Sequence, residues 1–247
     1  MMRVLVKLVV LVPLLLFGSF VGAQINKIEC ALELRQALEG LDLDQDVLFV
    51  FDIDETILVA NNPKARSAWF GAMLAEQMKA AVTFVDAINE TRRLYRIAQE
   101  QTTLEAVDPE LIQFINDLHQ EGVRLIGLTS RSRELCDITP QQLAEVGLVG
   151  FGDATVRYEL QLHPHEFPLI FENGVFFTSG AHKGLCLGRL LRELNWQPKT
   201  IIFIDDSYHH VEAVEAYASM VGIPAYTFHF TGYQKTMAAI EDRLLRR

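Results

Sequence analysis

Cysteine is scarce in this chain: three in 247 residues, Cys30, Cys136 and Cys186. An odd count excludes a complete disulfide framework, so the fold has to rest on a packed core. One bridge stays open in an oxidising compartment, with no pair favoured. A reactive thiol is another use of cysteine, but Cys136 and Cys186 lie in helical contexts and read as small apolar residues. Positive charge is also short, with 22 Lys and Arg against 32 Asp and Glu. That balance argues against a nucleic-acid surface. It also means that an anionic ligand must be met by locally concentrated positive charge, from a metal or a few basic side chains. A run long enough to span a membrane is lacking too. The uncharged stretch after Lys7, LVVLVPLLLFGSFVGA, is short against the roughly 20 apolar residues a spanning helix needs, and Pro13 interrupts it. With Arg3 and Lys7 ahead of it, and Val21 and Ala23 at the −3 and −1 positions, residues 1–23 read as a secretory signal cleaved after Ala23. The remainder carries 20 bases against 32 acids, a net charge of −12. The expected location is periplasmic or secreted, with no stable membrane anchor after processing.

What the chain does have is half its residues hydrophobic, enough for a full core. It is organised around VLFVFDIDETIL, residues 47–58. The run Val47 to Phe51 has the length and composition of a strand buried on both faces. It meets an acidic turn in which Asp52 and Asp54 stand two residues apart. In open α/β sheets chemistry sits just past the carboxyl ends of strands. Crowded carboxylates there cost free energy unless a cation offsets them. A lead-in helix, ALELRQALEGL, precedes the strand. After it, residues 60–105 are largely free of Gly and Pro and read as two or more helices. Asp108 and Pro109 then open a helix ended by Gly122, with Leu111, Phe114, Ile115 and Leu118 on one face.

VRLIGLTSR follows as a second buried strand ending at Thr129, with Arg131 just beyond. Arg131 can hold a phosphate or pair with an acid such as Glu134. Thr139-Pro140 starts a short helix closed by Gly147, and VGFGDATV reads as a third strand. LIFENGVFFTSG reads as a hairpin turning at Glu172-Asn173-Gly174. His163 and His165 read as surface or hairpin residues rather than zinc ligands. Lys183 opens a helix whose Leu187, Leu190, Leu191 and Leu194 share a face. In TIIFIDDSYHHV an apolar strand ends in Asp205-Asp206; His209 and His210 fall in the next helix. AYTFHF and a charged helix close the chain.

The Asp-x-Asp-x-Thr turn, the Thr129 strand end, Lys183 and the Asp205-Asp206 pair come in the order of the four motifs of the haloacid dehalogenase (HAD) superfamily, which the chain resembles in its phosphohydrolase branch. The wording of LTSR, FTSG-x-x-KG and FIDDS is similar to a bacterial secreted subgroup described as being of unknown function. The resemblance covers nearly the whole chain after residue 23. It implies an α/β, Rossmann-like three-layer sandwich with a central, mostly parallel sheet. The core would be 24–59 and 106–247, and 60–105 a small helical cap inserted after the first strand. It implies a Mg²⁺-dependent phosphomonoesterase acting on a small phosphorylated substrate. Asp52 would be the nucleophile and Asp54 the general acid/base. Thr129, Lys183 and Arg131 would hold phosphate. Asp52, the Asp54 backbone carbonyl, Asp205 and Asp206 would hold the metal, Asp205 directly and Asp206 through water. The superfamily's dehalogenases generally lack the second Asp, which argues against that chemistry. A phosphotransferase or mutase, and a catalytically silent metal-dependent binder, are the other readings. Trp69, Phe70 and Tyr95 could stack on a base or sugar or form cap core. The signal reading predicts a mature protein starting at Gln24. Mass spectrometry of the expressed protein checks it, and an intact Met1 in a membrane fraction would favour an anchor.

Overall fold

The computed structural model describes residues 25–43, 46–81, 83–152, 156–163 and 167–246. The signal segment and its cleavage site lie outside the described residues, as does His165; His163 is exposed.

The chain enters on a short strand, β1 (Asn26–Ile28), and a helix, α1 (Ala31–Ala37). The organising run is β2 (Val47–Phe51), buried at every residue. A short strand, β3 (Leu58–Ala60), leads to the helices α2 (Ser67–Ala80) and α3 (Phe84–Glu100), and β4 (Leu104–Ala106) returns antiparallel to β3. There follow α4 (Pro109–Gln120), β5 (Arg124–Thr129), α5 (Thr139–Glu145) and β6 (Arg157–Leu160). The hairpin of β7 (Leu169–Glu172) and β8 (Val175–Phe177) precedes α6 (Lys183–Glu193). The chain ends on β9 (Thr200–Asp205), α7 (Tyr208–Val221), β10 (Ala225–Phe230) and α8 (Tyr233–Leu245).

The main sheet has the order β1-β10-β9-β2-β5-β8-β7-β6. Its strands pair in parallel from β1 to β8, and β7 and β6 are antiparallel additions at one edge. Side chains alternate across β2. Phe49 and Phe51 enter a core with Leu34, Leu111, Phe114 and Ile240, from α1, α4 and α8. Leu48 and Val50 face the other way, into a core with Leu187, Leu190, Val211 and Val214, from α6 and α7. A strand with period-two side chains can serve two helical layers only if both faces are apolar, which is why β2 and β9 read as unbroken apolar runs. The result is the mostly parallel α/β sandwich expected. From β2 the chain crosses to β5 and then β8 on one side, and returns to β9 on the other. This reversal leaves a crevice at the carboxyl ends of β2, β5 and β9.

Several elements differ from the sequence reading. VGFGDATV is not a strand in its described part: Val149–Gly152 and Val156 lie outside every strand. Gly150 and Gly152 adopt φ of +136° and +150°, and Phe151 turns inward beneath Gly127. The place beside β5 is taken by β8 instead. The short strands β1, β3 and β4 were missed, because three residues carry no legible period and β3 meets β4 from across the helical segment. The expected hairpin is present. Its Asn173 and Gly174 both have positive φ, 53° and 72°, the signature of a type I′ turn.

Two glycines should respond in opposite ways to alanine. A Cβ on Gly184 would sit 2.1 Å from the Ala213 carbonyl oxygen, because α6 packs directly on the α7 backbone. Gly184→Ala should therefore destabilise by about 1–3 kcal/mol. A Cβ on Gly71, inside α2, meets nothing within 4 Å. Gly71→Ala should stabilise by about 0.5–1 kcal/mol through helix propensity alone. Denaturant unfolding of both variants checks the signs.

Candidate active site

Asp52 is the first residue past β2. Its backbone N–H donates to the Ile204 carbonyl at 2.9 Å, extending the β2–β9 ladder by one bond. Phe51 is registered on Ile204, so the next residues of the two strands, Asp52 and Asp205, leave the sheet side by side. Lys183, the first residue of α6, reaches both carboxylates. Its ammonium donates to Asp52 Oδ1 and, at 2.6 Å, to Asp205 Oδ2. Lys183 is 0% exposed. Burial works to lower its pKa, but Asp205 and Asp52 outweigh burial and hold the ammonium above its ordinary range.

The acids around it separate by their partners. Asp205 Oδ1 also accepts from the Ser207 N–H at 2.8 Å and contacts His210 Nδ1 at 3.3 Å. Burial alone would raise Asp205, and Lys183 and His210 more than reverse that. Burial, reinforced by Asp205 and Asp54, brings the Asp52 carboxyl up to about 7 against the pull of Lys183. Asp206 has lost the most: burial, then the charges of Asp52 and Asp205, push it up to about 9. Its backbone N–H donates to Thr56 Oγ1 at 3.0 Å, and its carbonyl meets His229 Nε2 at 3.0 Å. Thr56 Oγ1 also lies 3.4 Å from Asp52 Oδ2, so this hydroxyl spans the two acidic turns.

Carboxylate oxygens of Asp52, Asp205 and Asp206 lie within 4.8 Å of one another. Three carboxylates against one ammonium leave a negative excess in a buried site. The neighbouring carboxylates add to burial in raising Asp52 and Asp206. Hard oxygen donors at this spacing fit a small divalent cation such as Mg²⁺. Both oxygens of Asp205 are engaged, Oδ2 by Lys183 and Oδ1 by the Ser207 N–H.

Asp54 is held differently. Arg131 Nε and Nη2 donate to its two oxygens at 2.8 and 2.9 Å. Of the two uses open to Arg131, the structure shows an ion pair, with Asp54 rather than Glu134. Nη1 of this buried guanidinium donates to Thr139 Oγ1 and Gln142 Oε1, and the Arg131 backbone N–H donates to Thr129 Oγ1. Thr129 is buried at the end of β5, and its carbonyl accepts from the backbone and hydroxyl of Thr178. The expected residues thus converge on one edge of the sheet in two linked groups, Lys183 with the acids and Arg131 with Asp54.

A cavity of about 330 Å³ opens beside Asp54 and Arg131. Phe70, Leu74, Phe84 and Ile88, from α2 and α3, give it an apolar wall, and Arg92, Ser130 and Ser179 are also in its lining. Tyr95 lines it as well, stacked on Trp69 and edge-on to Phe70. No role was assigned from sequence to Thr56, His229 or Arg92; His210, read as a surface residue or one that supports the site, contacts Asp205 Oδ1. Arg92 had a signal: it falls on the buried stripe of α3 with Ile88, Tyr95 and Gln99, where a charge is out of place.

Comparison with known proteins gives the following. The model of the family described as “Protein of unknown function (DUF2608)” matches residues 23–246. A “Putative outer membrane protein” of Chlamydia trachomatis is 23% identical over 183 residues, 73% of this chain and 67% of that protein. An uncharacterized protein of Rickettsia prowazekii is 20% identical over 225 residues, 82% of this chain and 76% of its own. Among solved structures, a predicted HAD-like family hydrolase from Porphyromonas gingivalis aligns with a TM-score of 0.45 at 18% identity, covering 83% of this chain and all of that one (100%). A haloacid dehalogenase-like family hydrolase from Streptococcus pneumoniae aligns with a TM-score of 0.45 at 14% identity, covering 79% and 99%. These structures carry the name of the superfamily that the four sequence motifs resemble.

The charge arrangement makes Lys183 the group whose loss should matter most to folding. Lys183→Met leaves Asp52 and Asp205 buried without their cation, and should destabilise by about 3–5 kcal/mol. Without the ammonium both carboxyls rise, Asp205 from its lowered range and Asp52 further still. Acids raised in the folded state hold more protons there than when unfolded, so stability falls as pH rises. The deficit relative to wild type should grow from pH 5 to pH 8 in denaturant titrations.

Proposed function

We propose that this chain, which belongs to the family described as “Protein of unknown function (DUF2608)”, is a Mg²⁺-dependent phosphomonoesterase working through an aspartyl-phosphate on Asp52. One observation carries the reading: a fully buried Lys183 bridges Asp52 and Asp205 at the carboxyl edge of a parallel sheet, where the Asp206 carboxylate also converges. A packing role explains neither the burial of Asp52 and Asp205 with Asp206 half-buried beside them nor their placement at the strand ends. A carboxylate that must approach a phosphate needs a cation beside it, and Lys183 supplies one.

Asp52, Asp205 and Asp206 would hold the metal, with the Asp54 backbone carbonyl as the further ligand implied by the motif. Bound there, the ion would offset the charge of the carboxylates and the phosphate. The chain's own groups then do the following. An Asp52 carboxylate oxygen attacks phosphorus, and the bond from phosphorus to the ester oxygen breaks. Asp54 gives its proton to that departing oxygen. In the second half Asp54 takes a proton from water as the water oxygen attacks phosphorus, and the bond to Asp52 breaks, freeing phosphate. Arg131 fixes the plane of the Asp54 carboxylate through its two parallel bonds. Thr129 and Lys183 would contact the phosphoryl group. Residues 60–105 act as a cap whose apolar wall shields the reacting centre. A phosphotransferase would use the same groups and differ only in the acceptor. The site works outside the cytoplasm in this reading, which the name of the Chlamydia relative supports. Among the described residues no helix is long and apolar enough to cross a membrane.

The two aspartates of the turn should separate in a rapid-quench experiment with Mg²⁺ present and chelator as the blank. Asp52→Asn should abolish turnover of every ester and form no phosphoenzyme. Asp54→Asn should slow an alkyl phosphate by roughly 10²–10⁴-fold, the usual worth of proton transfer. A nitrophenyl phosphate, whose anion leaves unaided, should still label Asp52, and the label should accumulate because the hydrolytic base is gone. Label on another residue, or full activity in excess chelator, would contradict the assignment. Added alcohols that divert phosphate from water would identify a transferase.

A further inference from the structure

Beside the acidic site the cavity holds a cation that the reaction does not use. Arg92 is 5% exposed. Its Nε has no hydrogen-bond partner among the described residues. One terminal nitrogen donates to the Ser179 carbonyl at 3.2 Å, and the guanidinium lies over the Phe167 ring, 3.8 Å from its centroid. Glu134 acts on it through space, but Glu134 Oε2 is itself buried without a partner, so the two do not satisfy each other. The contrast with its neighbours on α3 is sharp. Arg93 pairs with Glu90, and Arg96 with Asp137 and Glu100. A guanidinium taken out of water normally comes with its anion, because an uncompensated buried charge is expensive. Arg92 has instead a flat aromatic face, one carbonyl and an open donor, in the lining of a cavity that also contains Asp54.

We propose that Arg92 binds a second anionic group, a carboxylate or a further phosphate, on the part of the substrate that leaves, and so selects phosphomonoesters whose body is apolar or aromatic and carries that charge. The inference rests on the phosphomonoesterase reading of the adjoining site. Two features of the cavity support it together. Phe70, Leu74, Phe84 and Ile88 can cover an apolar body, and α2, which carries Phe70 and Leu74, has no buried residue at all, as expected of a helix whose apolar side faces a space rather than a core. Arg92 then supplies the one cation in the lining free of a carboxylate partner, since Arg131 is committed to Asp54.

Matched esters test this: phenyl phosphate against 3- and 4-carboxyphenyl phosphate and hydroquinone bisphosphate, with Mg²⁺. The wild type should prefer at least one doubly anionic ester over phenyl phosphate by about tenfold to a hundredfold in kcat/KM, mostly through KM, as a charge-assisted bond to a buried guanidinium implies. Arg92→Gln should collapse that ratio towards one, and Arg92→Lys should keep part of it. The carboxylate and bisphosphate arms distinguish which anion is preferred. No wild-type preference, or equal losses on phenyl and doubly anionic esters in Arg92→Gln, would overturn the inference while leaving the phosphatase reading intact. If no ester is hydrolysed, the phosphatase reading fails by itself. Calorimetric binding of 4-carboxyphenyl phosphate then decides: binding weakened at least tenfold in Arg92→Gln supports the anion site, and absent or undiminished binding overturns it.

Discussion

A single ammonium held away from water between two carboxylates sets the terms for the whole acidic edge of the sheet. Lys183 is completely buried, so the free energy lost in removing its charge from water has to be regained from Asp52 and Asp205. Both acids are delivered by adjacent parallel strands in register, and the ammonium by the first residue of α6. Its placement depends in turn on how tightly α6 lies against α7. Gly184, the residue after Lys183, is there because a side chain would run into the Ala213 carbonyl. Since α7 begins three residues beyond Asp205, the same contact that seats Lys183 also fixes the turn bearing Asp206.

The arrangement is stable but unbalanced. Asp205 is satisfied by Lys183, a backbone amide and His210, whereas Asp206 keeps a strongly raised carboxyl and Asp52 an intermediate one. A purely structural cluster gains nothing by burying more acids than it can neutralise. A site that receives a cation and a phosphate, as proposed, would.

The helical segment is tied to this edge by polar contacts rather than by a shared core. Gln142 Nε2 donates to the carbonyl and side-chain oxygens of Gln99 on α3, and Gln142 Oε1 accepts from Arg131, which clamps Asp54. Arg96 reaches from α3 to Asp137 on the core side. A displacement of α3 is thus felt at Asp54 through three side chains. The apolar wall that meets ligand and the carboxylate proposed to move the proton are mechanically one unit.

The features legible in the chain were those written in consecutive residues. Val47–Phe51 and Ile201–Ile204 are apolar on both faces because parallel strands are covered twice, and each runs straight into its acids. The helix opened by Asp108-Pro109 and the Asn173-Gly174 turn are equally local, set by capping and by φ. Those features, read together with the order of the four motifs and the resemblance they carry, pointed to the α/β architecture and to the group of residues at the candidate site. What the tertiary structure decided were the pairings between distant positions. Arg131 and Asp54 are 77 residues apart, and Lys183 and Asp52 are 131 apart. A side chain's sequence neighbours do not say which of several acids it will meet, nor whether a lysine at a helix start is solvated or buried. The described part of VGFGDATV is the same lesson in the backbone: the strand beside β5 is β8 of the turn-closed hairpin, and Phe151 folds inward between two glycines of positive φ. The orphaned donor of Arg92 belongs to this class too, since burial without a partner is a property of the packed molecule and of nothing shorter.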